Sequence, residues 1–210
     1  TRFVTTIRMP GPDVVREALT LYQETLRRPS LTAYCLDFSG SMEGLGEADL
    51  KQAMSLLLEP AKARDVLIQA GQRDRILVIP FDSQPRAVHR GSGNPEDQAR
   101  LLSTVNQEIA GGGTNIYACA RRALEEMRDV PDLESFLPAI VLMTDGRSDG
   151  SFNDLTVARQ GVVSRMPVFG ITFGDADAAQ LNAIADQTSA RVFDGTKSLV
   201  RAFRTARGYN

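Results

Sequence analysis

Apolar residues along the chain switch period repeatedly, and the switches mark out alternating helices and strands. After the break at Pro10-Gly11-Pro12, Val14, Val15, Ala18, Leu19, Tyr22 and Leu26 recur at helical spacing and predict an amphipathic first helix over residues 13–27. Pro29-Ser30 ends it, and 31–36 is a short, largely apolar run of the kind found in parallel strands covered on both faces. Helical spacing returns over 47–58 through Leu50, Ala53, Met54 and Leu57. A second helical piece follows Pro60 to about residue 70, with the proline suited to its first turn. Residues 76–81 read as a strand closing on Asp82-Ser83, and 85–89 as a short edge strand, where proline is tolerated. Helices are expected over 95–109 and 116–127, separated by Gly111-Gly112-Gly113. A buried strand over 139–143 ends at Thr144-Asp145-Gly146. Beyond a polar loop, a helix is expected over 155–164, a strand over 168–173, a helix over 178–188, a strand over 191–193 and a closing helix over 198–207.

This alternation predicts an α/β fold: a doubly wound, mainly parallel six-stranded sheet with one short antiparallel edge strand and helices on both faces. Right-handed crossovers put the carboxyl ends of the parallel strands on one side of the sheet, where ligands of open α/β sheets bind. Asp37, Asp82, Asp145 and Asp175 all fall at such ends.

Composition narrows the possibilities. With 210 residues, 42% of them hydrophobic, the chain is long enough to bury roughly 70% of its unfolded surface. A net charge of −2 without a concentrated basic run speaks against nucleic acid as a partner, and no apolar stretch reaches a membrane span of roughly 20 residues. Three lysines against many arginines point to a GC-rich bacterial coding sequence. Cys35 and Cys119 lack the spacing of a zinc set or a redox pair and read as two buried thiols, with a disulfide between them left open.

The chemistry gathers where the first strand stops, at Asp37-Phe38-Ser39-Gly40-Ser41. Asp37, Ser39 and Ser41 alternate, so an extended or tightly turned backbone can aim all three side chains at one spot. One carboxylate and two hydroxyls suit a hard cation such as Mg²⁺, which takes oxygen ligands in an octahedral shell. If the first strand neighbours the 139–143 strand across the switch point, Asp145 faces Asp37 and Thr114 arrives from a third loop. Two carboxylates in one cleft repel each other, and a divalent cation resolves the conflict. Each piece alone also reads as turn or capping chemistry, with Thr114 as a helix cap.

The three pieces together closely resemble the metal-ion-dependent adhesion site of von Willebrand factor type A domains: Asp37-Phe-Ser-Gly-Ser41, Gly113-Thr114-Asn115 and Thr144-Asp145-Gly146, in that family's order and at comparable separations. The resemblance implies that Ser39, Ser41 and Thr114 ligate Mg²⁺ or Mn²⁺ through hydroxyls. It implies that Asp37 and Asp145 act directly or through water, and that a Glu or Asp carboxylate of a protein partner completes the shell. It further implies a protein-binding domain rather than an enzyme, over residues 31–210, with 1–30 as an N-terminal connector and first helix. A looser resemblance, carried by that helix and Arg28-Pro29-Ser30, implies a bacterial multidomain protein with an N-terminal solute-binding-like domain, placed outside the cytoplasm or tethered to a membrane.

Other chemistries fit less well. A metal-dependent phosphatase acting through Asp37 would put a second acid where Ser39 stands, and a structural module of a larger bacterial assembly would use the metal only for stability. Serine hydrolase, dinucleotide and P-loop signatures are absent. Glu43, Asp149 and the single histidine, His89, read as solvated surface residues, and the triple glycine as a flexible loop that lets Thr114 move.

Overall fold

The computed structural model describes residues 11–145, 148–151, 166–173 and 178–206; the helix expected over 155–164 and the strand-end Asp175 lie outside them. The elements run α1 (Pro12–Leu21), β1 (Ser30–Asp37), α2 (Leu45–Leu58), α3 (Pro60–Asp65), β2 (Arg75–Phe81), β3 (His89–Ser92) and α4 (Pro95–Gln107). They continue with α5 (Ile116–Arg128), β4 (Leu137–Thr144), β5 (Val168–Thr172), α6 (Ala179–Thr188), β6 (Val192–Asp194) and α7 (Gly195–Ala206). The six strands lie in the order β3-β2-β1-β4-β5-β6, and every pairing is parallel except that of β2 with β3. The winding reverses between β1 and β4, so the switch point falls where the sequence pattern put it.

Strand β1 explains why both faces are covered, since all eight of its residues are buried. Its side chains alternate between two cores, as the period-2 geometry of a strand requires. Tyr34 and Leu36 join Leu50 of α2, Leu101 of α4 and Phe203 of α7, whereas Leu31, Ala33 and Cys35 join Leu124 of α5 and Ile184 of α6. The Tyr34 and Phe203 rings meet edge-on, with centroids 6.0 Å apart. Cys35 and Cys119 are free thiols buried in the second core.

Two boundaries within the sheet domain differ most from the pattern. The edge strand is His89–Ser92 rather than 85–89, because Pro85 has no N–H for the ladder and makes only an isolated bridge with Phe81. Helix α3 stops at Asp65 instead of near residue 70; Leu67 turns left-handed at φ 57° and the Ile68 amide returns to the Ala63 carbonyl at 2.8 Å. That arrangement closes a helix end.

The stretch before β1 divides in two. In α1 and the π-helical turn that follows it, Val14, Val15, Leu21, Tyr22 and Leu26 are exposed, so the apolar stripe of this first helix faces solvent rather than the sheet. From Arg27 onward the chain is stitched into the fold. The buried Arg27 guanidinium meets Asp74 at 2.5 Å, and Asp74 also accepts from the amides of Ser30 (2.7 Å) and Gly71 (2.8 Å). Leu137 then donates to the Pro29 carbonyl at 2.8 Å as β4 begins.

Candidate metal centre

Each side chain of the candidate site is positioned by an element end. Strand β1 delivers Asp37 fully buried at its last position, and the chain turns there because the Ser39 amide donates to Asp37 Oδ1 at 2.8 Å. The turn brings Ser39 Oγ within 3.1 Å of Ser41 Oγ. Ser41 donates to Asp145 Oδ1 at 2.9 Å, joining the loop after β1 to the loop after β4. Behind them, Thr144 at the end of β4 donates its hydroxyl to Asp37 Oδ2 at 2.5 Å. The sequence reading missed Thr144; its place beside Asp145 at a strand end was the available signal.

Burial pushes the Asp37 carboxyl above the ordinary carboxylate range, and the charge of Asp145 adds to the rise, against the opposing hydrogen bonds from Thr144 and Ser39. The Asp145 charge thus opposes ionisation of Asp37, and no fixed cation is bonded to either carboxylate among the described residues.

The third loop arrives by backbone contacts. Gly40 donates to the Gly112 carbonyl at 2.9 Å and Gly111 to the Phe38 carbonyl at 2.8 Å, so the glycine run lies directly against the loop after β1. A Cβ on Gly40 would come within 3.3 Å of the Gly112 carbonyl oxygen, and one on Gly113 within 2.9 Å of Ser83 Oγ. Close approach, together with a φ of +86° at Gly112, is therefore what these positions demand of glycine. The expected freely moving loop is instead clamped: the Gly113 amide donates to Ser83 Oγ at 2.9 Å and the Asn115 amide to the Asp82 carbonyl at 2.9 Å. Arg86 reinforces the clamp by bonding the Asp82 carboxylate at 3.0 Å, Glu108, and the Ile109 carbonyl at 3.2 Å.

Thr114 itself is buried. It does not cap α5, because Asn115 takes that role by accepting from the Ala118 amide at 3.0 Å. The Thr114 carbonyl accepts from the Asp149 amide at 2.9 Å, so the backbone on both sides is held while the hydroxyl is not spent on the cap. Glu43 and Asp149 are exposed, in keeping with solvated loop residues.

The donor set suits a hard cation. In an octahedral shell with oxygens at roughly 2.1 Å, neighbouring ligand oxygens stand about 3 Å apart. The observed separations of 3.1 Å between the serine hydroxyls and 2.9 Å from Ser41 to Asp145 match that edge. No group of three or more His, Cys, Asp or Glu side chains able to hold a metal occurs among the described residues, so hydroxyls must supply much of any shell here.

A family model for the von Willebrand factor type A domain matches residues 33–202. The chain belongs to this family. Among solved structures, a von Willebrand factor type A protein from Catenulispora acidiphila is 20% identical, with a TM-score of 0.65 over 84% of this chain and 41% of that one. An aerotolerance-related membrane protein from Bacteroides fragilis is 15% identical, with a TM-score of 0.65 over 86% of this chain and 100% of that one. Proximal thread matrix protein 1 from the mussel byssus, solved with a zinc-occupied adhesion-site motif, is 17% identical, with a TM-score of 0.61 over 85% of this chain and 46% of that one. The type A chain thus spans less than two thirds of the Catenulispora and mussel proteins. None of the curated proteins compared with it matches. Type A domains are commonly metal-dependent adhesion or interaction modules. No helix among the described residues is long and apolar enough to cross a membrane.

Proposed function

We propose that this type A domain binds a protein partner through a divalent cation, Mg²⁺ or Mn²⁺, held by Ser39, Ser41, Thr114, Asp37 and Asp145. A bound cation supplies Lewis acidity and two positive charges, to which a Glu or Asp carboxylate of the partner adds the remaining ligand. The observation that carries the reading is the chain of oxygens from Asp37 through Ser39 and Ser41 to Asp145 at the carboxyl edge of the sheet.

The residues divide the work. Ser41 and Asp145 are the outermost oxygens and are first to meet a cation. Asp37 already accepts a hydrogen bond on each oxygen, from Ser39 and from Thr144, so it acts by orienting Ser39 and by lending charge from behind. Thr114 brings a third neutral hydroxyl, and three hydroxyls with two carboxylates leave the loaded site neutral overall. A neutral site binds an incoming carboxylate without like-charge repulsion.

We read the site as one for contact rather than turnover: its described residues supply two carboxylates and three hydroxyls, and Ser39 stands where a metal-dependent phosphatase would put a second acid. In the same reading the protein is bacterial and extracytoplasmic or membrane-tethered, with residues 1–30 connecting to a further domain of the solute-binding kind.

The test is a titration of MgCl₂ and MnCl₂ into the chelator-treated chain by calorimetry, followed by capture of partners from the source cells with and without EDTA. One metal per chain, lost in Asp145→Ala, and capture that EDTA abolishes are the expected results. Capture that survives EDTA undiminished overturns the metal bridge. Steady phosphate release from an aryl phosphate, lost in Asp37→Asn, would turn the reading to an enzyme.

A further inference from the structure

On the sheet face opposite α5 and α6, a groove of about 1550 Å³ opens between α2 and α7. It exceeds the roughly 300–1,000 Å³ typical of small-molecule sites, which points to a length of polypeptide as its occupant. The apolar part of the floor that solvent reaches is Leu56, Leu199 and Val200, partly buried and packed against a core in which Phe169 and Phe173 are already buried.

The rim is basic. Among the described residues, Lys62, Arg191, Lys197, Arg201 and Arg204 line the groove against one carboxylate, Asp49, in a chain whose net charge is −2. Nearby acids take up two of these cations, Glu59 pairing with Lys62 at 2.8 Å and Asp194 with Lys197 at 2.9 Å. The arginines remain. Arg204 donates to the neutral Val66 carbonyl at 2.6 Å and keeps its full charge, and Arg191 and Arg201 are exposed without an ion-pair partner among the described residues. Three guanidinium charges against Asp49 thus ring an apolar floor.

We infer that this groove docks an acidic protein segment carrying apolar anchor residues. Apolar side chains would cover Leu56, Leu199 and Val200, and carboxylates would meet the guanidiniums of Arg191, Arg201 and Arg204 in the forked pairing that arginine favours. The recessed shape favours a peptide over an anionic bilayer, whose flat surface reaches the rim but not the floor. The groove is separate from the candidate metal centre, shares none of its residues, and works without a metal.

The test uses the full chain in EDTA, which silences any metal-bridged binding, and a displayed random peptide library as probe. Enriched peptides should be rich in Asp and Glu interspersed with Leu, Phe or Ile. Arg191→Glu with Arg201→Glu should cut their affinity about tenfold or more, while Asp145→Ala leaves it unchanged. Both arginines are exposed, so an unaltered melting curve verifies that the double variant is folded. Absence of enrichment, enrichment without an acidic bias, or affinity indifferent to the charge reversal overturns the inference. So does binding to phosphatidylglycerol vesicles in place of peptides.

Discussion

Thr144 sits where two lines of force cross: it is fully buried and its hydroxyl holds a carboxylate whose ionisation burial disfavours. Thr144→Val keeps the shape and removes the donor, leaving Asp37 Oδ2 short of a partner in the core. We expect a loss of about 1–3 kcal/mol in unfolding free energy without metal, and a drop of roughly 10–100-fold in Mg²⁺ affinity, the range for lost outer-sphere support. Denaturant melts and calorimetry read the two effects separately. Ser41→Ala should divide them differently, because Ser41 is exposed: metal affinity falls while stability stays within about 0.5 kcal/mol. At this scale the sequence brought together the oxygens that the structure places side by side, Asp37, Ser39, Ser41 and Asp145, and was silent about their support. Asp37, Ser39, Ser41 and Asp145 announce themselves by oxygen type and spacing. The hydrogen bond from Thr144, and the choice of Asn115 over Thr114 as the cap of α5, depend on side-chain directions that alternation does not encode.

Elements were legible wherever periodicity ran long. Strand β1 and helix α5 emerge close to their expected limits because buried residues recur on a fixed period. The C-terminal end of α3 and the position of β3 were not, since a left-handed Leu67 and the turn in which the Arg86 amide donates to the Pro80 carbonyl at 2.8 Å are settled by local backbone bonds. The start of α4 offers a test of such local bonding. Asp97 in its first turn is lowered to about 2, chiefly by Arg100 at 2.7 Å and then by the Ser92 hydroxyl and amide, both at 2.9 Å. A depressed carboxylate binds its proton more weakly folded than unfolded. Its stabilisation is therefore complete above the unfolded value of 3.8 and fades as the pH falls toward about 2. Partial exposure reduces the effect to about 1–2 kcal/mol. Urea melts taken at about pH 4 and about pH 3 should show wild type losing stability faster than Asp97→Asn across that interval; parallel losses would refute the assignment.

For the whole molecule, the open matter is where the domain begins. The family resemblance put the seam at 30, after the helix that periodicity drew through residue 27, and an amphipathic stripe does not reveal whether anything covers it. We propose that the working boundary lies near residue 25 instead. Val14, Val15 and Leu21 are exposed, whereas Arg27 and Asp74 form a buried ion pair that Arg73 frames by donating to the Arg27 carbonyl at 2.9 Å. Removing one member of a buried pair strands the other charge, at a cost of about 3–5 kcal/mol. A chain starting at residue 25 should melt like one starting at residue 11, and a chain starting at residue 31, which lacks Arg27 but keeps Asp74, should lose about that amount. Simple removal of backbone contacts would give the second result too, so the pair is isolated with Arg27→Met and Asp74→Leu in the full chain. Each single change should cost about 3 kcal/mol or more, and the double change much less than the sum. Additive losses would mean that the strand-end amides, not the arginine, are what Asp74 serves, and the boundary would move back toward residue 30.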